Sequence, residues 1–202
     1  PALADRWRVV APDYPGFGYS SFPSREAFAY RFASLARVMA GFTDALGLVR
    51  YSLYIQDYGA PVGLRLALMQ PDRIAGLITQ NGNAYEEGLS SLWAPLRAYW
   101  ADPSPQNRAV LRNWLGEAGT RLQYSAGVPE TQLDRLAPDT WTLDWLKLGR
   151  PGNAEVQIDL FADYETNVAL YPEFQRFLRE RRPPTMVLWG RNDPFFTTAG
   201  AR

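Results

Sequence analysis

Residues 51–61 read Tyr51-Ser52-Leu53-Tyr54-Ile55-Gln56-Asp57-Tyr58-Gly59-Ala60-Pro61, and the order of residue types here decides the fold. A β-favouring run from Tyr51 to Gln56 ends in an acid, and small residues follow at once. That order predicts a strand, a sharp turn and a helix, because Gly59 and Ala60 leave room for the backbone beside the turn. Asp57 then stands at the tip of the turn, at the carboxyl edge of a strand and the amino end of a helix. The free N–H groups of that helix favour its charged form by about 0.3 to 1 kcal/mol. An ionised carboxylate held there can attack carbon. Asp is also a good helix N-cap, and this segment taken alone fits both roles.

Working outward, Arg8 to Pro12 reads as a short buried strand, and Asp13-Tyr14-Pro15-Gly16-Phe17-Gly18-Tyr19-Ser20 as a loop dense in turn formers. Phe28, Phe32, Leu35, Met39, Phe42 and Leu46 recur at helical spacing, with Gly47 where a C-terminal cap belongs. Gly59 to Met69 is helical in composition, Pro71-Asp72 breaks the chain, and Ile74 to Gln80 is again β-rich. Strands alternating with helices predict an α/β protein with a parallel sheet. From Ala84 to Arg182 the pattern turns helical and aromatic, with five of the seven tryptophans. Strand character returns at Thr185 to Trp189, followed by the turn Gly190 to Pro194. The expected division is therefore 1–83 as the first part of a core, 84–182 as an inserted helical cap, and 183–202 as the second part of the core.

Composition bounds the chemistry. A chain of 202 residues that is 47% hydrophobic supports one domain with an insertion. Twenty-one basic residues balance twenty-one acidic ones, so no net field recruits nucleic acid or an anionic membrane. The expected partner is a small molecule or another protein. The chain contains no cysteine and no histidine, which excludes thiol catalysis, disulfides, Cys or His metal sites and any complete Ser-His-Asp or Asp-His-Asp triad within these residues. No apolar run approaches the roughly 18 residues that span a bilayer, and Pro1 to Arg8 has no signal-peptide pattern. The expectation is a soluble, cytoplasmic protein. Because the chain does not open on Met and a strand candidate begins almost at once, it is also expected to start partway into a fold.

Four motifs in order carry a resemblance: the Pro15-Gly16-Phe17-Gly18-Tyr19-Ser20 loop, Gln56-Asp57-Tyr58-Gly59, Gln70-Pro71-Asp72-Arg73, and Trp189-Gly190-Arg191-Asn192-Asp193-Pro194-Phe195-Phe196. Together they resemble the α/β-hydrolase family, and within it the branch of haloalkane dehalogenases and epoxide hydrolases, which place Asp at the elbow. The resemblance implies that Asp57 is the nucleophile, that Asp193 orients a histidine, and that the Tyr58 backbone N–H forms half of an oxyanion hole. It also puts the histidine and the second oxyanion donor outside this sequence. On that expectation both ends of the domain are missing, and the chain alone does not turn over. Ile55 stands where generic members have Gly. An Asp-Pro turn is the plain alternative for Asp193.

The implied chemistry is attack by a carboxylate to form an enzyme ester, then hydrolysis of that ester by an activated water. Dehalogenases that resemble this chain carry Trp after the nucleophile to hold the departing halide, whereas Tyr58 stands here. Epoxide hydrolases use cap tyrosines as donors to the opening oxygen, and position relative to Asp57 selects Tyr99 and Tyr164 as the substrate-binding pair. Packing is the plain alternative for each. The expected function is epoxide hydrolysis, with carbon-halogen hydrolysis or a non-catalytic binding protein on the same fold as alternatives. No cofactor and no metal are implied. Gly16-Phe17-Gly18 lacks the third glycine of a dinucleotide loop. Arg179 to Arg182 reads as a solvated helix end, and Asn81 and Asn83 lie at the sheet edge where substrates bind.

Overall fold

The computed structural model describes residues 3–202. Its sheet has three parallel strands, β1 (Tyr51–Gln56), β2 (Ile74–Gln80) and β3 (Thr185–Leu188), in the order β1-β2-β3. In register, Gln56 meets Gln80, and Gln80 meets Leu188, so all three strands end level at one carboxyl edge. Helix α1 (Phe32–Ala45) precedes the sheet, and α2 (Gly59–Met69) links β1 to β2. Seven more helices lie between β2 and β3: α3 (Ala94–Ala101), α4 (Pro105–Asn113), α5 (Glu117–Ser125), α6 (Pro138–Leu148), α7 (Asn153–Asp163), α8 (Glu165–Ala169) and α9 (Tyr171–Arg181).

The expected bounds of β1, α2 and β2 match these elements. Helix α1 starts later than the periodic pattern predicts, at Phe32. Arg31 is extended with φ −134°, and the Phe32 N–H is satisfied by the Asp163 carboxylate, 2.8 Å away at the end of α7. Phe28 instead packs its ring edge-on against Tyr30. At the other end Gly47 takes φ +64°, and the Gly47 and Leu48 N–H groups return to the Asp44 and Thr43 carbonyls at 3.0 and 2.9 Å, closing a Schellman cap.

The strand expected at Arg8 to Pro12 is corrected. This segment has no regular secondary structure and belongs to no ladder among the described residues, and Val9 and Val10 are exposed. A strand exists only by pairing, and among the described residues no strand pairs with this segment. β3 is also exposed and ends at Leu188, one residue earlier than expected; the Trp189 indole N–H donates to the Phe196 carbonyl at 2.9 Å.

The main core joins α1, α2 and the inserted helices through Phe32, Leu35, Val62, Trp93, Leu160 and Tyr164. A second cluster, including Ile55, Leu64, Leu77, Tyr171 and Phe174, fills the space between sheet, α2 and α9. Leu53, Leu89 and Val168 pack against both clusters. Among the described residues no helix is long and apolar enough to cross a membrane.

Candidate active site

Asp57 sits in the turn between β1 and α2 with φ +45°, a left-handed conformation that costs an L-residue with a side chain. The N-cap position of α2 is Tyr58 rather than Asp57, and the first turn is closed by the Asp57 carbonyl accepting from the Ala60 N–H at 2.9 Å. The N-cap role therefore does not account for the residue. The carboxylate faces a cavity of about 1080 Å³. Tyr14 and Phe17 wall it from the loop before α1, Trp93, Trp114, Phe161 and Tyr164 from the helical segment, and Phe195 and Phe196 from the turn after β3. Glycine is required in the first of these loops. Gly18 has φ +48°, and a Cβ there would lie 2.2 Å from the Asp13 carboxylate, which accepts from the Tyr19 N–H at 2.9 Å.

Asp57 is open to the cavity but enclosed by protein on the scale over which charge is felt. Burial pushes its pKa up to about 6; the Tyr58 amide pulls against this rise, and the Asp193 charge adds to it. Asp193 lies in the turn after β3. Its Oδ1 accepts from the Phe195 and Phe196 N–H groups at 2.8 and 3.0 Å, and its Oδ2 from the Asn81 side-chain amide. Asn81 follows β2 in a left-handed conformation, φ +47°, and its Oδ1 accepts from the Gly190 N–H at 3.0 Å. One asparagine thus ties the turn bearing Asp193 to the end of β2. The edge position of Asn81 is legible in the sequence, but this bond across 112 residues is not.

Asp57, Tyr58 and Tyr164 line the same cavity, whereas Asp193 does not line it and reaches Asp57 through its charge. Tyr58 opens α2, and its ring packs edge-on against Phe32 at 5.1 Å; burial holds its phenol well above the ordinary range. Tyr164, 1% exposed, packs on Trp93 at 4.7 Å, and burial raises its phenol in the same way. Its hydroxyl is buried without a partner in hydrogen-bond geometry, although the Tyr171 hydroxyl is a neighbour. An unmet buried donor beside a cavity is costly unless something comes to accept it. Tyr99 is corrected. It is buried in the core outside the cavity, and its hydroxyl accepts from Arg108 at 3.4 Å.

Three lining features carry no signal in the sequence. Tyr14 has its phenol pushed up to about 12 by burial. Lys147 holds its ammonium 3.7 Å from the centre of the Tyr19 ring. Arg150 donates to the carbonyls of Gly16 and Gly18. Each depends on a contact between distant segments, which spacing along the chain does not reveal. Among the described residues no group of three or more His, Cys, Asp or Glu is arranged to hold a metal ion.

Comparison with known proteins agrees with this geometry. The profile of the alpha/beta hydrolase fold matches residues 1–202. An uncharacterised hydrolase of Saccharomyces cerevisiae is 43% identical over 205 residues, covering 100% of this chain and 69% of its own. Haloalkane dehalogenase 2 of Mycobacterium bovis is 32% identical, covering 96% of this chain and 65% of its own. A solved N-acyl homoserine lactonase complexed with N-butanoyl homoserine superposes with a TM-score of 0.68 at 16% identity, over 98% of this chain and 65% of that one. The chain thus spans about two thirds of the length of these proteins. With the profile matching from first residue to last and the strand, turn and helix in place around Asp57, the chain belongs to the α/β-hydrolase fold family.

Proposed function

We propose that this chain carries the nucleophilic half of a hydrolase that forms an ester on Asp57, with an epoxide as the substrate class. One observation carries the reading: Asp57, alone between β1 and α2 in a strained backbone conformation, faces a large aromatic cavity with Asp193 close enough to be felt. An Asp57 oxygen attacks a ring carbon, the carbon-oxygen bond breaks, and the epoxide oxygen leaves with the electron pair. Tyr164 gives that oxygen its proton and recovers one from solvent. The product is a hydroxyalkyl ester on Asp57. Its hydrolysis needs a base to activate water, a role Asp193 supports by orienting a histidine, with the Tyr58 N–H steadying the oxyanion. The chain contains no histidine, so the reaction stops at the ester. Residues 84–182 serve as the cap that supplies Trp93, Trp114, Phe161 and Tyr164 to the cavity, over a core of 1–83 and 183–202.

Two features favour the epoxide. Tyr58 follows Asp57 where an indole would hold a halide. Trp93, the tryptophan stacked on Tyr164, has its N–H committed to the Phe195 carbonyl at 3.1 Å. The 32% identity with a haloalkane dehalogenase favours a second reading, attack on a carbon-halogen bond with release of halide.

The test is single-turnover labelling followed by mass spectrometry. With styrene oxide, Asp57 gains the whole mass of the reagent, once per chain and without turnover. With 1-bromobutane it gains a butyl group and one bromide is released. Faster labelling by the bromide moves the substrate class to halides. Absence of any adduct, or an adduct that persists in Asp57→Asn, overturns the nucleophile.

A further inference from the structure

The wall that α7 gives the cavity changes character along its length. Asn153, Gln157, Phe161 and Tyr164 recur at helical spacing, so one face of the helix lines the cavity from polar to aromatic. The aromatic end is the one beside the nucleophile: the Tyr164 ring lies 6.2 Å from that of Tyr58, the residue after Asp57. Gln157 stands two turns back from Tyr164, about 10 Å along the helix. Both amides at the polar end are deeply buried, Gln157 at 5% exposure and Asn153 at 2%.

Their orientations are fixed from one end. The Lys147 carbonyl only accepts, and it takes a hydrogen bond from the Asn153 Nδ2 at 2.9 Å. The Asn153 Oδ1 therefore faces Gln157, whose Nε2 donates to it at 3.1 Å. That leaves the Gln157 Oε1 at the end of the ladder. Among the described residues nothing donates to it, and unlike the Tyr164 hydroxyl it is not sealed off. On a side chain so deeply buried in this wall, the open side of that oxygen is the cavity. The other polar groups nearby are committed or solvated: Tyr124 donates to Asp144, Arg150 to the Gly16, Gly18 and Lys147 carbonyls, and Asn113 and Gln123 are exposed. We infer that this end of the cavity is a subsite for a hydrogen-bond donor: the Gln157 Oε1 accepts from a hydroxyl carried by the substrate, about 10 Å from the carbon that Asp57 attacks. Phe161, between the two ends, suits an apolar chain, so the substrate class narrows to an epoxide on an alkyl chain with a hydroxyl at its far end. The inference rests on the reading of Asp57 above only for which end reacts.

The experiment labels the 202-residue chain with 7,8-epoxyoctan-1-ol and with its methyl ether, which keeps the oxygen and loses the donor. The alcohol reaches half-maximal labelling of Asp57 at about one tenth of the ether's concentration, because the ether displaces water from the Gln157 oxygen and returns no hydrogen bond. Gln157→Met keeps the length of the side chain without the acceptor and loses that preference, and Gln157→Asn, which draws the amide back, loses it too. Equal labelling by both reagents in the unmutated chain means that water alone fills this end and overturns the subsite. A preference that survives in both variants places the donor's partner elsewhere and overturns it as well. A readout independent of the chemistry is quenching of tryptophan fluorescence by the unreactive pair 1-octanol and 1-methoxyoctane: the alcohol binds about tenfold more tightly, and the difference vanishes in Gln157→Met. If this difference holds while no reagent labels Asp57, the reading of Asp57 fails and the subsite stands; if labelling proceeds and the difference is absent, the subsite alone falls.

Discussion

Asp57 combines a left-handed backbone with a carboxylate whose pKa is pushed up to about 6, and both features have measurable consequences. The attacking form is the ionised one. Ester formation should therefore rise with pH, reach half its limit near pH 6 and level off above pH 7; a rate independent of pH between 5 and 8 would remove Asp57 as the titrating nucleophile. Stability moves the opposite way. The folded pKa lies above the ordinary 3.8, so between about pH 4 and 6 the folded state binds more protons than the unfolded one and loses stability as pH rises. Asp57→Asn removes that loss. It should gain about 1 kcal/mol at pH 8, less than the full shift because cavity water screens the charge, and nothing at pH 4. Thermal melts at the two pH values check this.

At the scale of elements, α1 shows how a helix is bounded. Its end is local: Gly47 at φ +64° allows the reversed turn that satisfies the Thr43 and Asp44 carbonyls. Gly47→Ala puts a Cβ into that conformation and should cost about 1 kcal/mol, read as a lowered urea midpoint with an unchanged slope. Nothing crowds this position, so the backbone term acts alone. The start of α1 is not local. Arg31 offers no cap, and the Asp163 carboxylate arrives from 131 residues away.

For the whole molecule, the open sheet decides behaviour in solution. Among the described residues β3 pairs only with β2, and Met186, Val187 and Leu188 are 56%, 46% and 44% exposed. An unpaired parallel edge with apolar side chains is a template for another chain. The 202-residue chain should therefore self-associate at micromolar concentration. Light scattering after size-exclusion chromatography measures this, and a monodisperse, cooperatively melting monomer would refute it.

What the sequence determined by itself is local. β1, α2 and β2 lie within thirty consecutive residues, and their bounds follow from β-run, small residues and breakers, because strand, turn and helix are each set by neighbours along the chain. The place of Asp57 at the tip of that turn is legible for the same reason. Whether the segment at Arg8 to Pro12 becomes a strand depends on a partner, and so only the tertiary structure decided it. The same holds for the two tyrosines. Tyr99 and Tyr164 look alike in sequence, yet packing sends one to Arg108 and the other to the wall of the cavity. Asn81 reaches Asp193, and Asn83 reaches Tyr171, across 112 and 88 residues. Buried polar groups must be paired wherever the fold happens to bring a partner, and that pairing is a property of the packed chain rather than of spacing along it.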